Sequence, residues 1–547
     1  MISIVTPDAM RALEQSVIND GVSEAELIER AATAIADFIH RNVRSSDGTS
    51  RSLVALAGPG NNGVDGLLAA ALLVERGWQA YAVLVGRKNL DGLPGEPEML
   101  SQIQVVGDIP QVDVILDGIY GNSGRTDLPK PAKTALEMIR RVRGEARPPI
   151  LIAVDCPTGT NTETGQVADA IVGADVTLCI SNPKIGMLKS PALDHIGELV
   201  ALDIGVRTDD LDPDVRASMI DRNFVRSALA PRPATAHKSQ VGGLLIVGGA
   251  PGYYGAPRLA GEAALRAGCG YVGMAVPRSI AGTIATAVPE LIFHPLSDAD
   301  GRRSATTVRE ALSDSNRYDA FVVGPGLGRD EVASTLLESL FQLHSPARRE
   351  EARESIFGIP RRIESVEDSD EGDVRSYPLV IDADALNWLS ELDDWPSLLE
   401  GRTCVLTPHV GEMARLLDGE TGDVAADPWN VARQAASDWG QVVVLKCGLT
   451  CVATPEGDVF VAPRPTPELA TPGTGDVLSG LVGAFIAQGN APADAAKIAI
   501  YVGAMAGKVA RLRLGARSVV ARDAIEGLPV VLRDLESPAL SRLTEAW

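Results

Sequence analysis

The sequence predicts an α/β protein of two domains, each built on a doubly wound and mostly parallel β-sheet. The chain has 547 residues, and at roughly 100–200 residues per domain a single core is implausible. Short aliphatic runs alternate with helix-length segments in both halves, which is the pattern of right-handed βαβ crossovers. Aromatic residues make up only 4% of the chain and glycines number 54, which favours aliphatic cores with many tight strand-to-helix turns.

An amphipathic helix opens the first domain, because Ser23–Glu26 fits a capping box and apolar residues follow at helical spacing. Six aliphatic runs then predict strands: Leu53–Ala57, Ala80–Val85, Val112–Leu116, Ile150–Val154, Val176–Ile180 and Leu199–Leu202. The alternation dissolves into Asp, Pro and Thr near Arg207–Pro213. We therefore place a domain boundary at residue 220, between domains of residues 1–220 and 221–547.

The second half repeats the pattern. Its aliphatic runs predict six further strands: Leu244–Val247, Tyr271–Val276, Ala320–Val323, Leu379–Ile381, Cys404–Leu406 and Val442–Leu445. Residues 346–376 are rich in Arg, Glu, Asp and Ser, too polar to offset the entropy of ordering them. We expect them to form a mobile surface insertion in the second domain.

Charge and composition exclude several classes of partner. Lys and Arg number 50 against 72 Asp and Glu, a net charge of −22, which opposes binding to a phosphate backbone, and we expect no nucleic acid partner. Neither a signal-like opening nor an apolar run of about 18 residues occurs, so we expect no membrane association. The six cysteines lie singly in apolar runs, as reduced buried thiols do. We predict a cytoplasmic protein that forms a homo-oligomer.

A Gly-rich turn follows the first strand of the first domain. Gly58–Gly66 lies between Leu53–Ala57 and a helix predicted to start near Leu67. Glycine lets backbone N–H groups approach a phosphate, and a helix N-terminus adds favourable partial charge. The amides of Asn61 and Asn62 add donors for a ligand and oxygens for a hard cation. Turn geometry alone is the other interpretation of this loop.

Two more polar loops, Asp117–Gly124 and Asp155–Gly159, begin where strands end. Doubly wound folds bind ligands at the carboxyl ends of their strands, and carboxylates are rarely buried without a partner or a task. An aspartate in this place can also cap a helix or join an ion pair. Together with the Gly-rich turn, these loops predict one polar rim.

These loops, with Asn182–Gly186, resemble the NAD(P)H-hydrate epimerase domain. That family interconverts the C6 epimers of a hydrated nicotinamide cofactor, with a bound potassium ion, in a Rossmann-like fold. The resemblance implies that Asp155 is the catalytic acid/base. The potassium ligands that it implies are Asn62, Asp117 and Thr158. The substrate contacts that it implies are Asn61, Asn62, Gly63, Val64, Asp65, Gly121, Asn122, Ser123 and Gly124.

The first domain departs from the pattern of that family at three places. Val64 stands where the family usually has Gly, Asn122-Ser123 where it has Thr-Gly, and Thr160-Asn161 where it has Leu-Asp. Valine denies the backbone the positive φ that glycine permits, so we expect the loop around Val64 to be reshaped. A non-catalytic binding module is the competing hypothesis for this domain.

A second Gly-rich motif, Gly473-Thr474-Gly475-Asp476, precedes the apolar helix Leu481–Ala487. Successive N–H groups at a helix N-terminus can hold a phosphoryl group in transfer, and Asp476 can accept a proton from an attacking hydroxyl. An aspartate that merely stabilises the start of the helix is the simpler alternative.

This motif resembles the ribokinase-like superfamily, and the segments around it resemble the ADP- or ATP-dependent NAD(P)H-hydrate dehydratase. Those segments are His237-Lys238, Gly248–Ala256, Ala264–Gly268, Gly324–Gly328, Ile381–Asn387, Thr407–Glu412 and Lys446–Thr450. The resemblance implies hydrate contacts at Ala256, Gly326, His409 and Asp476. The nucleotide contacts that it implies are Lys446, Cys447, Gly448, Leu449, Thr450, Gly473, Thr474 and Gly475. Pro472, Ser239-Gln240 and Cys447 depart from the family pattern without removing a group that has a chemical role.

The two resemblances together predict a chain with two repair activities. An epimerase would supply the S-hydrate of NADHX or NADPHX, and a dehydratase would phosphorylate it and eliminate phosphate to regenerate NAD(P)H. The resemblances imply K⁺, Mg²⁺ and ADP or ATP as the phosphoryl donor, since phosphoryl transfer needs charge neutralisation. The alternative is a ribokinase-like small-molecule kinase with a non-catalytic dinucleotide-binding N-terminal module.

Overall fold

A computed structural model describes residues 1–44, 51–90, 100–122, 125–313, 317–342 and 377–536. The chain divides into two compact units, Met1–Met219 and Ile220–Trp547. The insertion predicted at residues 346–376, together with Ser123 and Gly124, lies outside the described residues. No helix in the described part of the chain is both long and apolar enough to span a membrane.

The first unit is built on a parallel sheet of seven strands. The strands of this unit are β1 (Ile2–Ile4), β2 (Ser52–Ala57), β3 (Gln79–Leu84), β4 (Gln104–Val105), β5 (Val114–Gly118), β6 (Ile150–Val154), β7 (Val176–Ile180), β8 (Glu198–Leu202) and β9 (Ala217–Met219). The sheet order is β4-β3-β2-β5-β6-β7-β8, and every pair in it is parallel. Strands β1 and β9 pair antiparallel with each other.

Four α-helices of the first unit are described: α1 (Pro7–Asn19), α2 (Glu24–Asn42), α3 (Asn61–Glu75) and α4 (Lys130–Arg143), with 3-10 turns at Ile185–Leu188 and Ala192–His195. The predicted helix after Ser23 is α2, and Ser23 Oγ accepts from the N–H of Glu26 at 3.2 Å. In a capping box the Glu26 carboxylate would accept from the N–H of Ser23. Here Glu26 Oε1 accepts from Arg30 Nη2 at 2.6 Å instead.

The second unit contains a sheet of nine strands. Its strands are β10 (Gly243–Val247), β11 (Tyr271–Pro277), β12 (Ile292–Leu296), β13 (Ala320–Val323), β14 (Leu379–Ile381), β15 (Cys404–Leu406), β16 (Val442–Leu445), β17 (Cys451–Ala453) and β18 (Val459–Val461). Their order is β18-β17-β16-β15-β14-β13-β10-β11-β12. Strands β10 to β16 pair in parallel, and β17 and β18 add an antiparallel edge.

Helices cover this second sheet. The described α-helices are α5 (Arg222–Ala228), α6 (Gly255–Ala267), α7 (Arg278–Ala287), α8 (Gly301–Ser313), α9 (Glu331–Gln342), α10 (Asp384–Leu389), α11 (Val410–Leu416), α12 (Thr421–Ala426), α13 (Pro428–Trp439), α14 (Thr474–Ala487), α15 (Pro492–Leu514) and α16 (Ala521–Glu536). Shorter 3-10 turns lie at Lys238–Gln240, Trp395–Leu399, Pro467–Leu469 and Ala516–Ser518.

The structure confirms the predicted α/β class with two parallel-sheet units. All twelve predicted strands exist, and their ends shift by at most two residues; the run predicted from Val112 starts at Val114. Six described strands were not predicted: β1, β4, β9, β12, β17 and β18. Helix α14 starts at Thr474, seven residues before the predicted Leu481.

Each sheet has a switch point where the strand order reverses. In the first unit β2 lies between β3 and β5, and in the second unit β10 lies between β11 and β13. Loops that leave such neighbouring strands diverge to opposite faces and open a crevice for a ligand. The loop after β2 starts at Gly58, and the loops after β10 and β13 start at Gly248 and Gly324. The polar loops found in the sequence therefore lie at both switch points.

Two glycines let α14 pack closely inside the second unit. A Cβ at Gly480 would lie 2.3 Å from the carbonyl oxygen of Ala260 in α6, and one at Gly483 would lie 2.6 Å from Val322 in β13. Distances below 3.0 Å force atoms to shift. This contact fixes the helix whose first turn carries Asp476.

We predict that Gly480→Ala lowers the free energy of unfolding of the second unit by about 1–3 kcal/mol, because the added methyl group overpacks a backbone contact. Denaturant unfolding measures the loss. Gly282→Ala is the matched control, since Gly282 lies in α7 with no atom within 4 Å of its added Cβ. It should raise stability by roughly 0.5–1 kcal/mol. Equal stability of Gly480→Ala and wild type would contradict the packing account.

Candidate functional site

The Gly-rich turn of the first unit is shaped by close approach of the backbone. A Cβ at Gly58 would lie 1.8 Å from the carbonyl oxygen of Ile119, and one at Gly63 would lie 2.2 Å from that of Gly58. Neither glycine has a positive φ. Helix α3 starts at Asn61, before the predicted Leu67, and its cap residue Gly60 makes no side-chain cap bond. The N–H groups at the start of α3 are therefore not capped by a side chain.

The expectation about Val64 is wrong. Val64 lies inside α3, where φ is negative, so a residue with a Cβ fits its backbone without strain. Its side chain is buried in the aliphatic core between α2, α3 and the sheet. The departure from glycine at this position therefore adds to the core and does not reshape the loop.

The three residues implied as potassium ligands meet on one rim. Thr158 donates from Oγ1 to Asp117 Oδ1 at 2.6 Å, and its N–H donates to Oδ2 at 2.9 Å. Asn62 donates from Nδ2 to the carbonyl oxygen of Val154 at 2.7 Å. A Cβ at Gly121 would lie 2.2 Å from Asn62 Oδ1. Burial raises the pKa of Asp117, and the hydrogen bonds from Thr158 and from the N–H of Ile119 oppose this shift.

Two other implied substrate contacts are already engaged. Asn61 donates to Glu24 at the start of α2 at 3.0 Å, and Asn122 Oδ1 accepts from Thr162 Oγ1 at 2.5 Å. Both asparagines lie at the edge of the rim, and each side-chain amide is hydrogen-bonded to another side chain of the protein.

Asp155 directly follows β6 in a strained backbone conformation, with φ of 64° and a buried side chain. Its Oδ1 accepts from Lys184 Nζ at 2.6 Å and from the N–H of Ile180 at 3.3 Å. Lys184 is buried as well. Sequence reasoning singled out Asn182–Gly186 only as part of a resemblance and assigned Lys184 no role. Asn182 is structural, since its amide binds the carbonyl oxygens of Ser3 and Thr208.

Two further carboxyl groups surround Asp155. Burial and the charge of Asp155 raise the pKa of Asp65, and Oδ1 of Asp65 is buried without a hydrogen bond. Burial, opposed by Lys184, also raises the pKa of Glu14 on α1. Glu14 belongs to no motif, so its place in the site was not predicted.

In the second unit, Asp476 lies on the first turn of α14. Gly473 precedes the helix with φ of 92°, which glycine adopts without strain. Burial, followed by the charge of Asp382, raises the pKa of Asp476 to about 7. The hydroxyl of Thr474 donates to the carbonyl oxygens of Leu469 and Thr471. The Thr474 side chain therefore stabilises the turn, and only the backbone of this residue faces a ligand.

Lys446 lies beside this turn, since a Cβ at Gly475 would be 3.3 Å from its Nζ. The ammonium donates to Asp382 Oδ1 at 2.8 Å and lies 3.7 Å from Glu412 Oε2. Burial opposes the charge of Lys446, but Asp382 and Glu412 outweigh it and raise its pKa. Asp382 and Glu412 were not among the predicted site residues, although Asp382 directly follows β14 as Asp155 follows β6.

His409 caps α11. Its Nδ1 accepts from the N–H groups of Gly411 and Glu412 at 3.0 and 3.1 Å, and Glu412 Oε2 accepts from the N–H of His409 at 2.8 Å. Burial lowers the pKa of His409, so the ring is neutral. Because Nδ1 is an acceptor, the ring hydrogen is on Nε2. The imidazole is half exposed. The backbones of His409 and Lys446 pair in an isolated parallel β-bridge.

Ala256 and Gly326 meet across the second switch point, where a Cβ at Gly326 would lie 3.0 Å from that of Ala256. Lys446–Thr450 forms the turn between β16 and β17. Its Leu449 side chain is buried, so this residue has only its backbone to offer a ligand. The Cys447 thiol donates to the carbonyl oxygen of Leu449 at 3.1 Å. Interaction between the Cys447 and Cys451 thiols lowers the pKa of Cys447 and raises that of Cys451. All six cysteines are free, as predicted.

Preformed metal cages are absent from the described part of the chain: no three His, Cys, Asp or Glu residues there are arranged to hold a metal ion. The rim of Asn62, Asp117 and Thr158 is not such a group, because two of its three side chains are an amide and a hydroxyl. The carboxylates near Lys446 are paired within the protein instead.

Comparison with known proteins connects both sites to one family. Residues 24–186 match the family model of the YjeF-related protein N-terminus, and residues 244–347 and 361–529 match that of NAD(P)H-hydrate dehydratase. A bifunctional NAD(P)H-hydrate repair enzyme Nnr from Moorella thermoacetica is 31% identical over 93% of this chain and 92% of its own length. The chain belongs to the bifunctional NAD(P)H-hydrate repair enzyme family. The family recognised in the sequence is thereby confirmed.

Other members of this repair enzyme family are similar over nearly the whole chain. The Nnr enzyme of Escherichia coli is 29% identical over 92% of this chain and 88% of its own length. Among solved structures, an ADP/ATP-dependent NAD(P)H-hydrate dehydratase from Bacillus subtilis covers 59% of this chain and all of its own, at 23% identity and a TM-score of 0.44. A ribokinase-like superfamily protein from Enterococcus faecalis covers 60% at 20% identity and a TM-score of 0.47.

We predict that Val64→Gly destabilises this repair enzyme. The substitution opens a cavity in the core of the first unit and places glycine inside α3, a combined cost of about 2–4 kcal/mol. Thermal unfolding of the first unit measures the loss. Gly60→Ala is the control, since no atom lies within 4 Å of its added Cβ. A Val64→Gly variant as stable as wild type would show that position 64 is not a core position.

Proposed function

We propose that the first unit epimerises hydrated NAD(P)H at C6 and that the second unit dehydrates the S epimer with ADP or ATP as phosphoryl donor. One observation carries the proposal: each unit buries a lysine–aspartate ion pair at the carboxyl edge of its sheet. The pairs are Lys184 with Asp155 in one unit and Lys446 with Asp382 in the other, where the charge of Asp476 also acts on Lys446. The matches to the two family models support this division.

Asp155 serves the first reaction as a proton acceptor. The hydrated ring carries a hydroxyl on C6, the carbon next to the ring nitrogen. When a positioned base takes the hydroxyl proton, the C6–N1 bond can break to give an aldehyde, with its electron pair passing to the nitrogen, and closure on the other face with return of the proton gives the other epimer. The proposed hydrate contacts lie on α3 and in the loops that follow β5 and β6. Gly63 and Gly121 keep this rim narrow, because a side chain at either position would collide with its neighbours.

A potassium ion fits the rim of Asn62, Asp117 and Thr158, because it offers amide, carboxylate and hydroxyl oxygens, the donors that hard cations prefer. Burial raises the pKa of Asp117, so a cation would relieve the cost of its negative charge. When bound, the ion supplies fixed positive charge near the hydrate. The protein holds Asp117 in place through both bonds from Thr158.

In the second reaction Asp476 takes the proton of the C6 hydroxyl as that hydroxyl attacks the donor phosphoryl group. A base whose pKa is near 7 suits this task at neutral pH. Lys446 meets the phosphates as a point charge, with the N–H groups of Gly473–Gly475 at the N-terminus of α14. His409 donates from Nε2 to the hydrate. Loss of phosphate and a proton then restores the dihydronicotinamide ring.

Magnesium fits this edge as a carrier of the donor phosphates. Mg²⁺ commonly binds through one or two carboxylates together with phosphates and water. Asp382 is buried and engaged by Lys446. Asp384 is partly exposed: its Oδ2 accepts from the N–H of Gly328 at 2.9 Å, and its Oδ1 lies 3.8 Å from the half-exposed guanidinium of Arg329. Asp384 is therefore the carboxylate that we propose for the ion, which supplies charge neutralisation when bound.

Cellular location and assembly complete the proposal. All six cysteines are free, which supports a cytoplasmic location because disulfides are rare there. Leu512, Val520 and Val530 on and between α15 and α16 are exposed by 41–78%. Exposed apolar side chains of this kind support a homo-oligomer.

We predict that Asp476→Asn lowers the dehydration rate by roughly 10²–10⁴-fold, because the amide cannot accept the proton. In wild type the rate should fall as pH drops below about 7, since protonation inactivates this base. Phosphate release and recovery of cofactor absorbance from the S-hydrate measure both effects. Asp438→Asn, at an exposed position on α13, is the control.

Near-normal turnover of Asp476→Asn would refute its role as the base. A phosphorylated product that accumulates in wild type, without recovery of the dihydronicotinamide, would favour a small-molecule kinase over a dehydratase.

We predict that Asp155→Asn slows conversion of the R-hydrate to the S-hydrate by roughly 10²–10⁴-fold, the usual contribution of a general base, while dehydration of the S-hydrate continues. Separated epimers, followed by chromatography, distinguish the two reactions in one preparation. Wild type should convert faster in potassium than in lithium, because the larger ion suits a rim of neutral and charged oxygens. If wild type with potassium converts the R-hydrate no faster than buffer does, the first unit is a binding module.

A further inference from the structure

Lys184 stands out among the buried side chains of the first unit. It is the largest of the described side chains that are almost fully buried, at 2% exposure. Its Nζ donates to Asp155 Oδ1 at 2.6 Å and to the carbonyl oxygen of Ile180 at 3.0 Å, with Cys179 Sγ at 3.7 Å. An ammonium held by three protein acceptors has a single orientation, fixed toward Asp155.

The two oxygens of Asp155 differ in their surroundings. Oδ1 accepts from Lys184 Nζ and from the N–H of Ile180. Oδ2 accepts no hydrogen bond within the described residues, and it is not one of the buried side-chain atoms that lack a partner. One oxygen is therefore anchored, and the other is accessible to a ligand at the rim.

The acidic groups around Asp155 explain why the positive charge of the Lys184 ammonium is needed beside it. Glu14 from α1 and Asp65 from α3 bring two more carboxyl groups toward Asp155, and Cys156, Cys179 and Asp117 are the other acidic groups that face the pair. Burial raises the pKa of Asp65 well above its usual range. Among the described residues, Asp155 is the one carboxylate at hydrogen-bond distance from the Lys184 ammonium.

We propose that Lys184 is a positioning residue of the epimerase reaction, which anchors Oδ1 of Asp155 and so leaves Oδ2 as the oxygen that exchanges the proton. This inference rests on the proposed function of the first unit. In the reaction Oδ2 takes the proton of the C6 hydroxyl while the C6–N1 bond breaks, so that C6 becomes an aldehyde carbon and the electron pair of the broken bond passes to the ring nitrogen. The nitrogen then attacks the other face of the aldehyde, the C6–N1 bond re-forms, and Oδ2 returns the proton, so no other reactant is needed. Lys184 keeps its own proton throughout.

Backbone hydrogen bonds hold the segment around Lys184 in addition to its side chain. In an isolated β-bridge, the N–H of Val5 donates to the carbonyl oxygen of Pro183 and the N–H of Ile185 donates to that of Val5, both at 3.0 Å. Replacing a buried ion pair is often neutral for stability, whereas removal of one partner leaves an unpaired charge. The decisive variants therefore include one in which both partners are neutral.

A double-mutant cycle tests the inference. The variants are Lys184→Met, Asp155→Asn and the double variant, with Lys189→Met as an exposed control on the same segment. Lys184→Met should lower kcat for R-to-S conversion by about 100-fold, within the range of general-base contributions, and change KM by only a few fold. In the Asp155→Asn background it should cause no further loss, because Lys184 acts through Asp155. Dehydration of the S-hydrate by the second unit reports on chain integrity in each sample.

The outcomes separate the inference from the function on which it rests. No conversion by wild type overturns the proposed epimerase and the role of Lys184 with it. Conversion by wild type together with normal kcat in Lys184→Met, or with a further loss in the double variant, overturns the role of Lys184 alone. If Lys184→Met unfolds the first unit, Lys184→Arg decides: retained kcat supports the inference, and a folded but inactive variant overturns it.

Discussion

Removing a lysine ammonium and an aspartate carboxylate from water costs several kcal/mol per ion, and their attraction repays this cost only when the geometry is good. Each unit meets that condition at the carboxyl edge of its sheet, with N–O distances of 2.6 Å for Lys184 and Asp155 and 2.8 Å for Lys446 and Asp382. The surrounding core supplies the low dielectric that makes both pairs strong. The rest of each site is arranged around a fixed buried charge.

Parallel sheets with a switch point make this burial possible. The strand ends next to β2 and β10 diverge, so polar groups can lie below the surface and still reach a crevice. Close backbone contacts at Gly58, Gly63 and Gly324 hold the loops against neighbouring strands. These glycines limit the width of the crevice, and the charged pairs set its electrostatics.

Local patterns in the sequence were enough to predict the fold class and the loops that carry the sites. Aliphatic runs of strand length are local, and an aspartate directly after such a run predicted Asp117, Asp155 and, in the second unit, could have identified Asp382. Lys184 and Glu14 could not be found in this way. A lysine or glutamate is usually solvated, and only tertiary packing across more than a hundred residues brings Glu14 to Asp155.

The interpretation of Val64 failed for a related reason. A family pattern with glycine at a position does not say whether the glycine is needed for a positive φ or for lack of space for a side chain. Because α3 starts at Asn61, position 64 has helical backbone and needs no positive φ. Motif matching compares residue types, whereas the structural requirement here is helical backbone with room for a side chain.

The cap that His409 places on α11 restricts what this imidazole can do. With Nδ1 committed to two backbone N–H groups, the ring has no free lone pair on either nitrogen in its neutral form. It can give a hydrogen bond from Nε2 but cannot collect a proton without releasing the helix. His409 can therefore donate a hydrogen bond from Nε2 but does not transfer protons. The carboxylates of the second unit carry out its acid–base chemistry.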